Sequence, residues 1–202
     1  MSRAALFLNG QEPAEFPDLS QFEKIFCTDG AFHYLLRNQI QPDFVIGDFD
    51  SIEIKDVPEK IETIHTPDQN FTDFEKSLQI IEQKGFEEVY IYGSSGIEHD
   101  HFLGNLTTGF KFKDRMVLLF FDDFSTYFFA EKKTRLENYK NRIISLYPFP
   151  NTNGITTKGL KYALNHENLN LLNRVGTRNL AVEDCVEIDF ESGNLLVFIR
   201  RE

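Results

Sequence analysis

The chain has 202 residues, 41% of them hydrophobic, so it is long enough for one large or two small domains and too apolar to be disordered. Its net charge of −11 argues against a nucleic-acid-binding surface, which needs clustered lysine and arginine to neutralise phosphates. The two cysteines form no C-x-x-C motif, no apolar stretch has membrane-spanning length, and the N-terminal apolar run is too short for a signal peptide. We expect a reduced, cytoplasmic protein without a membrane segment.

The first half of the sequence alternates between predicted strands and helices. Apolar runs at residues 4–8, 25–28, 44–46, 89–92 and 116–121 predict strands, and residues 62–65 predict a further short strand. Apolar residues at helical spacing predict helices after residue 30, between residues 72 and 85, and around residues 103–110. This alternation predicts an α/β domain over residues 1–125, with a mainly parallel sheet and helices on its faces.

The second half has a different pattern. Short runs at residues 126–130, 142–147, 160–164, 185–190 and 195–199 predict strands, and turn signals such as Pro148-Phe149-Pro150 and Asn153-Gly154 separate them. Residues 186–190 alternate apolar and polar, which is typical of a half-exposed strand. These patterns predict an all-β sandwich or half-barrel domain over residues 126–202.

Acidic residues stand where several predicted strands end. Asp48 and Asp50 follow the strand at residues 44–46 through Gly47, and Asp29 stands between a strand and a helix. Ligands of open α/β sheets bind in the crevice beyond the carboxyl ends of the strands. A single such residue is most often a turn acid or, as for Asp29, a helix cap. Several hard oxygen ligands together suit Mg²⁺, which binds one or two carboxylates plus substrate phosphates.

Two further segments extend this polar edge. Residues 66–73 contain two acids, two amides and two hydroxyls, which is more than helix capping requires. The loop Gly93-Ser94-Ser95-Gly96 is rich in backbone N–H groups that can cradle an anion, and Asp100 and His101 follow it. His101 is suited to acid–base chemistry and equally to a hydrogen-bonded packing role. The sequence lacks a P-loop, a G-x-G-x-x-G fingerprint and a zinc-ligand cluster.

These motifs together resemble the thiamine pyrophosphokinase family. The resemblance is carried, in order, by Thr28-Asp29-Gly30-Ala31, residues 42–51, residues 68–76, and Asp100-His101 with Asn105. In the second half, residues 156–162 and 176–179 are similar to that family's thiamine-binding domain. The resemblance therefore covers nearly the whole chain, and its first-half motifs are strongly specific when taken together.

The resemblance implies a kinase that transfers the β,γ-diphosphate of ATP to the hydroxyl of thiamine, giving thiamine diphosphate and AMP, with Mg²⁺ as cofactor. It also implies a homodimer in which thiamine lies between the catalytic domain of one subunit and the β domain of the other. The implied catalytic and metal-binding residues are Asp48, Asp50 and Asp73. The implied nucleotide-binding residues are Asp29, Gly30, Lys76, Gly93, Ser94, Asp100 and His101, and the implied thiamine-binding residues are Gln69, Asn70, Arg178 and Asn179.

This chain departs from the family pattern at Glu98, where an arginine that helps to hold ATP phosphates is expected. Lys76 or Arg115 is then a candidate replacement. Two alternative functions stay open at this point. One is a diphosphokinase that acts on another heterocyclic alcohol such as a pterin, and the other is a relative that binds thiamine or a nucleotide without catalysis.

Overall fold

The computed structural model describes residues 2–201. The chain divides into two compact units after Asp123, and each unit has its own strands and hydrophobic core. This boundary lies two residues before the one predicted from the sequence, after residue 125. Within the described residues, no helix is long and apolar enough to cross a membrane.

The first unit contains a parallel sheet. Its strands are β1 (Arg3–Phe7), β2 (Lys24–Thr28), β3 (Phe44–Gly47), β4 (Glu62–His65), β5 (Glu88–Tyr92) and β6 (Val117–Phe121), and they lie in the order β4-β3-β2-β1-β5-β6. Each neighbouring pair is parallel. The helices are α1 (Asp29–Arg37), α2 (Asp73–Gln83) and α3 (His99–Phe112). Every strand predicted for this half has a counterpart within two residues of the predicted bounds.

The apolar strand sequences follow from burial on both faces of this sheet. Leu6, Phe26, Val45 and Ile91 have no exposed surface, as expected for central strands covered by helices on either side. Helix α2 begins where the Thr72 hydroxyl accepts a hydrogen bond of 3.2 Å from the Glu75 N–H, which satisfies one of the free N–H groups of the first turn. These elements position the segments that leave the carboxyl ends of the strands.

The second unit is all-β. Its strands are β7 (Ser125–Phe129), β8 (Lys133–Glu137), β9 (Ile143–Lys158), β10 (Glu167–Asn170), β11 (Gly176–Leu180), β12 (Cys185–Asp189) and β13 (Ser192–Arg200). All their pairings are antiparallel, and the long strand β9 pairs with β13, β11 and β10 along most of its length and with β12 at its end. Leu136, Ile144, Val186 and Leu195 from different strands share one buried core, as in a sandwich.

Three predictions for this unit are wrong. The prolines around Phe149 and the Asn153-Gly154 pair do not end a strand, because β9 continues through both, with a φ of +62° at Gly154. Opposite Pro148, β13 has a register shift between Gly193 and Leu195. A strand tolerates a proline at such an irregularity, where a ladder hydrogen bond is missing anyway. Residues 160–164 form an isolated bridge from Leu160 to Ala181 and then a turn, instead of a strand, after Gly159, where the chain has a φ of +76°. Strands β8, β10 and β11 were not predicted.

Candidate functional site

The candidate site lies at the carboxyl edge of the parallel sheet in the first unit. Because the strands all run in one direction, the segments that follow them emerge at the same edge. The segments after β1 and β5 are joined directly, since the Gly10 N–H donates to the Gly93 carbonyl at 2.8 Å and the Gln11 N–H donates to the Ser95 carbonyl at 2.7 Å. The edge is therefore a connected set of loops.

Three carboxylates converge where β2 and β3 end. Asp29, Asp48 and Asp50 each place a carboxylate oxygen within 4.8 Å of the others. Gly47 leaves room for this arrangement, because a Cβ there would lie 2.4 Å from Cγ of Asp29. Grouped carboxylate oxygens are the ligands that Mg²⁺ prefers, and the group adjoins space for a substrate. The donor set therefore fits the metal that the resemblance implies.

Asp29 is held by the backbone at both carboxylate oxygens. The Gly30 N–H donates to Oδ1 at 2.7 Å and the Phe49 N–H donates to Oδ2 at 2.9 Å. Burial raises the pKa of Asp29, the negative charges of Asp73 and Asp48 raise it further, and the two N–H donors lower it only in part. A cation bound nearby would favour the ionised form and oppose this rise.

Asp48 is kept ionised by a neighbouring amide. Nε2 of Gln69 donates to Oδ2 of Asp48 at 2.8 Å, and the Asp50 N–H donates to Oδ1 at 3.2 Å. These hydrogen bonds, the Gln69 bond first, lower the pKa of Asp48. Asp50 is exposed and accepts a hydrogen bond of 2.9 Å from the Ser51 hydroxyl. Asp48 and Asp50, together with Asp29, have carboxylate oxygens close enough to bind one cation.

Asp73 lies outside the group of three carboxylates, although the resemblance implies a metal-binding role for it. Its Oδ1 contacts Nζ of Lys76 at 2.7 Å. Lys76 is 6% exposed, and its ammonium also donates to the carbonyl oxygens of Thr66 and Asp68 at 2.9 and 3.3 Å. An ammonium has three N–H donors, so none is left for a phosphate. The structure therefore does not show the nucleotide-binding role expected for Lys76.

A cavity of about 500 Å³ opens along this edge. Four acids line the cavity. Among the described residues, no lysine or arginine lines it. Most of the predicted site residues line the cavity: Asp29, Gln69, Asn70, Asp73, Gly93, Ser94, Asp100 and His101. Four other predicted residues do not line the cavity. Gly30 and Lys76 contact the lining residues Asp29 and Asp73, and Asp48 and Asp50 belong to the carboxylate group. Asp48 also contacts Gln69, which lines the cavity. Such a cavity attracts cations and metal-bound anions.

The beginning of α3 also differs from a phosphate-binding site. Glu98 precedes the helix and lines the cavity, and Nδ1 of His101 lies 3.5 Å from its carboxylate. Arg115, the other basic candidate, pairs with Glu82 at the far end of α2 and stacks on Phe112. No basic residue of the described chain therefore replaces the expected arginine in the cavity.

Several residues that line the cavity were not predicted as site residues, among them Asn9, Gly10 and Thr28. Asn9-Gly10 has the sequence of a turn after a strand, and Thr28 stands at a strand end within the Thr28-Asp29-Gly30-Ala31 motif. Thr28 is 4% exposed, and its hydroxyl has no hydrogen-bond partner among residues 2–201. A buried polar atom without a partner is uncommon, and its position along the cavity is consistent with a bound ligand as the missing partner. The Asn-Gly turn at a strand end was the signal that could have indicated the first two.

Arg178 and Asn179, the expected thiamine contacts, belong to the second unit. Asn179 is 8% exposed, its Oδ1 accepts from the N–H groups of Tyr162 and Leu180, and its Nδ2 donates to the Tyr162 carbonyl. This carboxamide therefore stabilises a turn through bonds to the backbone of Tyr162 and Leu180. Arg178 is exposed and has a φ of +58°, with its N–H bound to the Ser145 hydroxyl.

Comparisons with known proteins agree in both halves of the chain. Residues 18–121, just over half of the chain, match the family model for the thiamin pyrophosphokinase catalytic domain, and residues 133–195 match that for the thiamin pyrophosphokinase vitamin B1 binding domain. A crystal structure of thiamin pyrophosphokinase from Geobacillus thermodenitrificans superposes with a TM-score of 0.84, at 19% identity, over 99% of this chain and 98% of that one. At this identity, the likeness shows the fold.

Two similar relatives carry the same family name. Thiamin pyrophosphokinase 1 of Caenorhabditis elegans is 33% identical over 97 residues, which is 44% of this chain and 40% of the relative. Thiamine pyrophosphokinase 1 of Oryza sativa subsp. japonica is 27% identical over 175 residues, which is 78% of this chain and 66% of the relative. The matched stretches thus span less than two thirds of either relative. With both domain models matched in order, the chain belongs to the thiamine pyrophosphokinase family.

Proposed function

We propose that this protein transfers the β,γ-diphosphate of ATP to the hydroxyl of thiamine and releases thiamine diphosphate and AMP. The observation that carries the proposal is the convergence of Asp29, Asp48 and Asp50 within 4.8 Å beside a cavity, in a chain that matches both domains of the family. The comparisons support this activity and neither of the two alternatives.

The charge of the cavity suits both substrates. Thiamine is a cation, so acids along the cavity attract it directly. ATP is a polyanion, and no lysine or arginine lines the cavity to neutralise it. Mg²⁺, when bound, would supply the positive charge that neutralises the phosphates. Asp29, Asp48 and Asp50 would hold this metal, and Asp73 stands at the edge of the same site.

The contribution of the protein to diphosphate transfer is mainly positioning. The thiamine oxygen must approach the β-phosphorus in line with the bond to the α-phosphate oxygen, which leaves with AMP, and the hydroxyl proton is lost. Gly93 and Ser94, which follow β5, line the cavity, and the chain has a φ of +68° at Gly93. Gln69 and Asn70 line the cavity at the end of the segment before α2 and are the residues proposed to contact thiamine.

We also propose that the protein is a homodimer with the thiamine site at the subunit interface, as the resemblance implies. Arg178, exposed on β11, would then face the substrate bound to the partner, whereas the carboxamide of Asn179 would support the turn. Sedimentation equilibrium gives the mass directly, and a monomer would contradict this arrangement. The cytoplasmic location stays a prediction.

The activity is tested by incubating the protein with Mg²⁺, ATP and thiamine and measuring thiamine diphosphate by thiochrome fluorescence after chromatography. Product is expected with thiamine and not with a pterin alcohol. Consumption of the pterin alcohol instead would support the first alternative function. Thiamine binding by calorimetry without any product would support the second.

A further inference from the structure

We propose that Lys76 is a positioning residue that holds the segment of residues 66–70 so that Gln69 keeps Asp48 in its place in the site. This inference rests on the proposed function, and it assigns Lys76 a role different from a nucleotide contact. It depends on the contacts of the ammonium, on the exposure of the segment, and on a continuous path from Lys76 to Asp48.

Lys76 projects from the first turn of a firmly packed helix. Phe74, Leu78 and Ile81 of α2 are buried, so the base of the lysine is anchored in the core. Its ammonium lies against three oxygens, one from its own helix and two from the preceding segment, at Asp73, Thr66 and Asp68. A buried ammonium is stable only when its donors are satisfied, as they are here. Lys76 thus fastens the segment to α2.

The segment has little else to hold its middle. Residues 67–70 are exposed, so no apolar side chain of the segment is buried in the core. At one end, the Thr66 N–H donates to the Gly47 carbonyl at 2.8 Å. Inside the segment, the Asp68 carboxylate accepts from the backbone and side-chain nitrogens of Asn70 at 2.9 and 2.7 Å, which shapes a turn without attaching it to the domain. The Lys76 bond to the Asp68 carbonyl supplies that attachment.

The path continues from the turn to the carboxylate group. Gln69 follows Asp68 directly, and its Nε2 donates to Oδ2 of Asp48 at 2.8 Å. Asp48 belongs to the group of three carboxylates. A residue that orients a metal ligand through a hydrogen bond typically changes metal affinity or activity about 10- to 100-fold when it is removed. Lys76 acts one contact further out, through the backbone that carries Gln69.

The test compares Lys76→Met with Lys111→Met as a matched control. Lys111 pairs with Glu75 of the same helix at 2.8 Å but contacts neither the segment nor the cavity. Two measurements use the protein without nucleotide: hydrogen–deuterium exchange of peptides covering residues 66–70, and Mn²⁺ titration by electron paramagnetic resonance. We expect Lys76→Met to speed exchange in the segment about tenfold and to weaken Mn²⁺ binding about tenfold. Lys111→Met should change neither.

Three results would overturn the proposal. Unchanged exchange and Mn²⁺ affinity, with weaker ATP binding alone, would show that Lys76 contacts the nucleotide. Faster exchange throughout the first unit would show a general structural role, and unchanged behaviour in every assay would show no role. If Lys76→Met does not fold, Lys76→Gln, which keeps an amide donor, should give a smaller change in the same two measurements, and no change there would also overturn the proposal. If the unmodified protein forms no thiamine diphosphate, the proposed function is wrong. The exchange and Mn²⁺ measurements on Lys76→Met and Lys111→Met would still decide the role of Lys76.

Discussion

Replacing Gly47 by alanine should disrupt the carboxylate group with one added methyl group. Gly47 is the last residue of β3, in ordinary strand geometry, so alanine introduces no backbone strain of its own. Its Cβ would lie 2.4 Å from Cγ, 2.6 Å from Oδ2 and 2.8 Å from Oδ1 of Asp29. The Asp29 carboxyl must therefore move, and it is a central member of the proposed metal site.

The size of the effect follows from these distances. Ordinary contact begins at 3.4 Å, so the carboxyl has to shift by about 1 Å, which strains its hydrogen bonds to the Gly30 and Phe49 N–H groups. Overpacking of this kind costs about 1–3 kcal/mol of folding free energy. A misplacement of about 1 Å in an active site lowers the rate about 100-fold. We expect Gly47→Ala to show both losses.

A double-mutant cycle with Asp29→Ala isolates the cause. Without the Asp29 carboxyl, the added methyl group has nothing to displace, so Gly47→Ala should cost less than about 0.5 kcal/mol in that background. Unfolding by urea measures the stabilities, and steady-state turnover measures the rate. An equal stability loss in both backgrounds, or full turnover of Gly47→Ala, would refute this reasoning.

Three further predictions concern charge. Asp50→Asn should lower turnover about 100-fold in a kinetic assay. Because Asp50 is exposed, the free energy of unfolding should stay within about 0.5 kcal/mol of the unmodified protein. Near-normal turnover would exclude Asp50 from the metal site. Burial raises the pKa of Asp29, so the folded protein holds the Asp29 proton more tightly than the unfolded chain does. The protein therefore loses stability as pH rises through this raised pKa and the buried carboxyl ionises. Mg²⁺ should therefore raise the melting temperature more at pH 7 than at pH 4, and an equal rise would contradict this. Glu98→Arg should strengthen Mg²⁺-ATP binding about threefold to tenfold in calorimetry at low salt, with a smaller gain at high salt; Glu98→Gln is the charge-neutral control, and unchanged affinity would show that Glu98 does not face the phosphates.

The fold of the first unit was largely predictable because its strands are buried on both faces. Central strands such as β1 and β3 are continuous apolar runs that end abruptly at polar turns, so their positions are visible in the sequence. In a parallel sheet, those ends also share one edge, which is why Asp29, Asp48 and Asp50 were associated before their distances were known. The grouping depended on topology and not on fine geometry.

The features that the sequence did not predict have a common physical origin in long-range pairing. Strand β9 continues past Pro148 because β13 shifts its register at that point, which no local pattern indicates. Lys76 and Asn179 have polar side chains beside binding motifs, yet their donors and acceptors are taken up by backbone groups of distant or neighbouring segments. Sequence patterns show which residues are chemically able to bind a ligand. Only the folded chain shows which of them have partners already.

The central claim is that a diphosphate group, and not a single phosphate, moves from ATP to thiamine at the Asp29, Asp48 and Asp50 site. Phosphorus-31 nuclear magnetic resonance of a reaction containing the protein, Mg²⁺, ATP and thiamine identifies every phosphorus product in one measurement. The account predicts that AMP and thiamine diphosphate appear in equal amounts and that both form about 100-fold more slowly with Asp50→Asn. Formation of ADP with thiamine monophosphate, or an unchanged ATP spectrum with the unmodified protein, would contradict it.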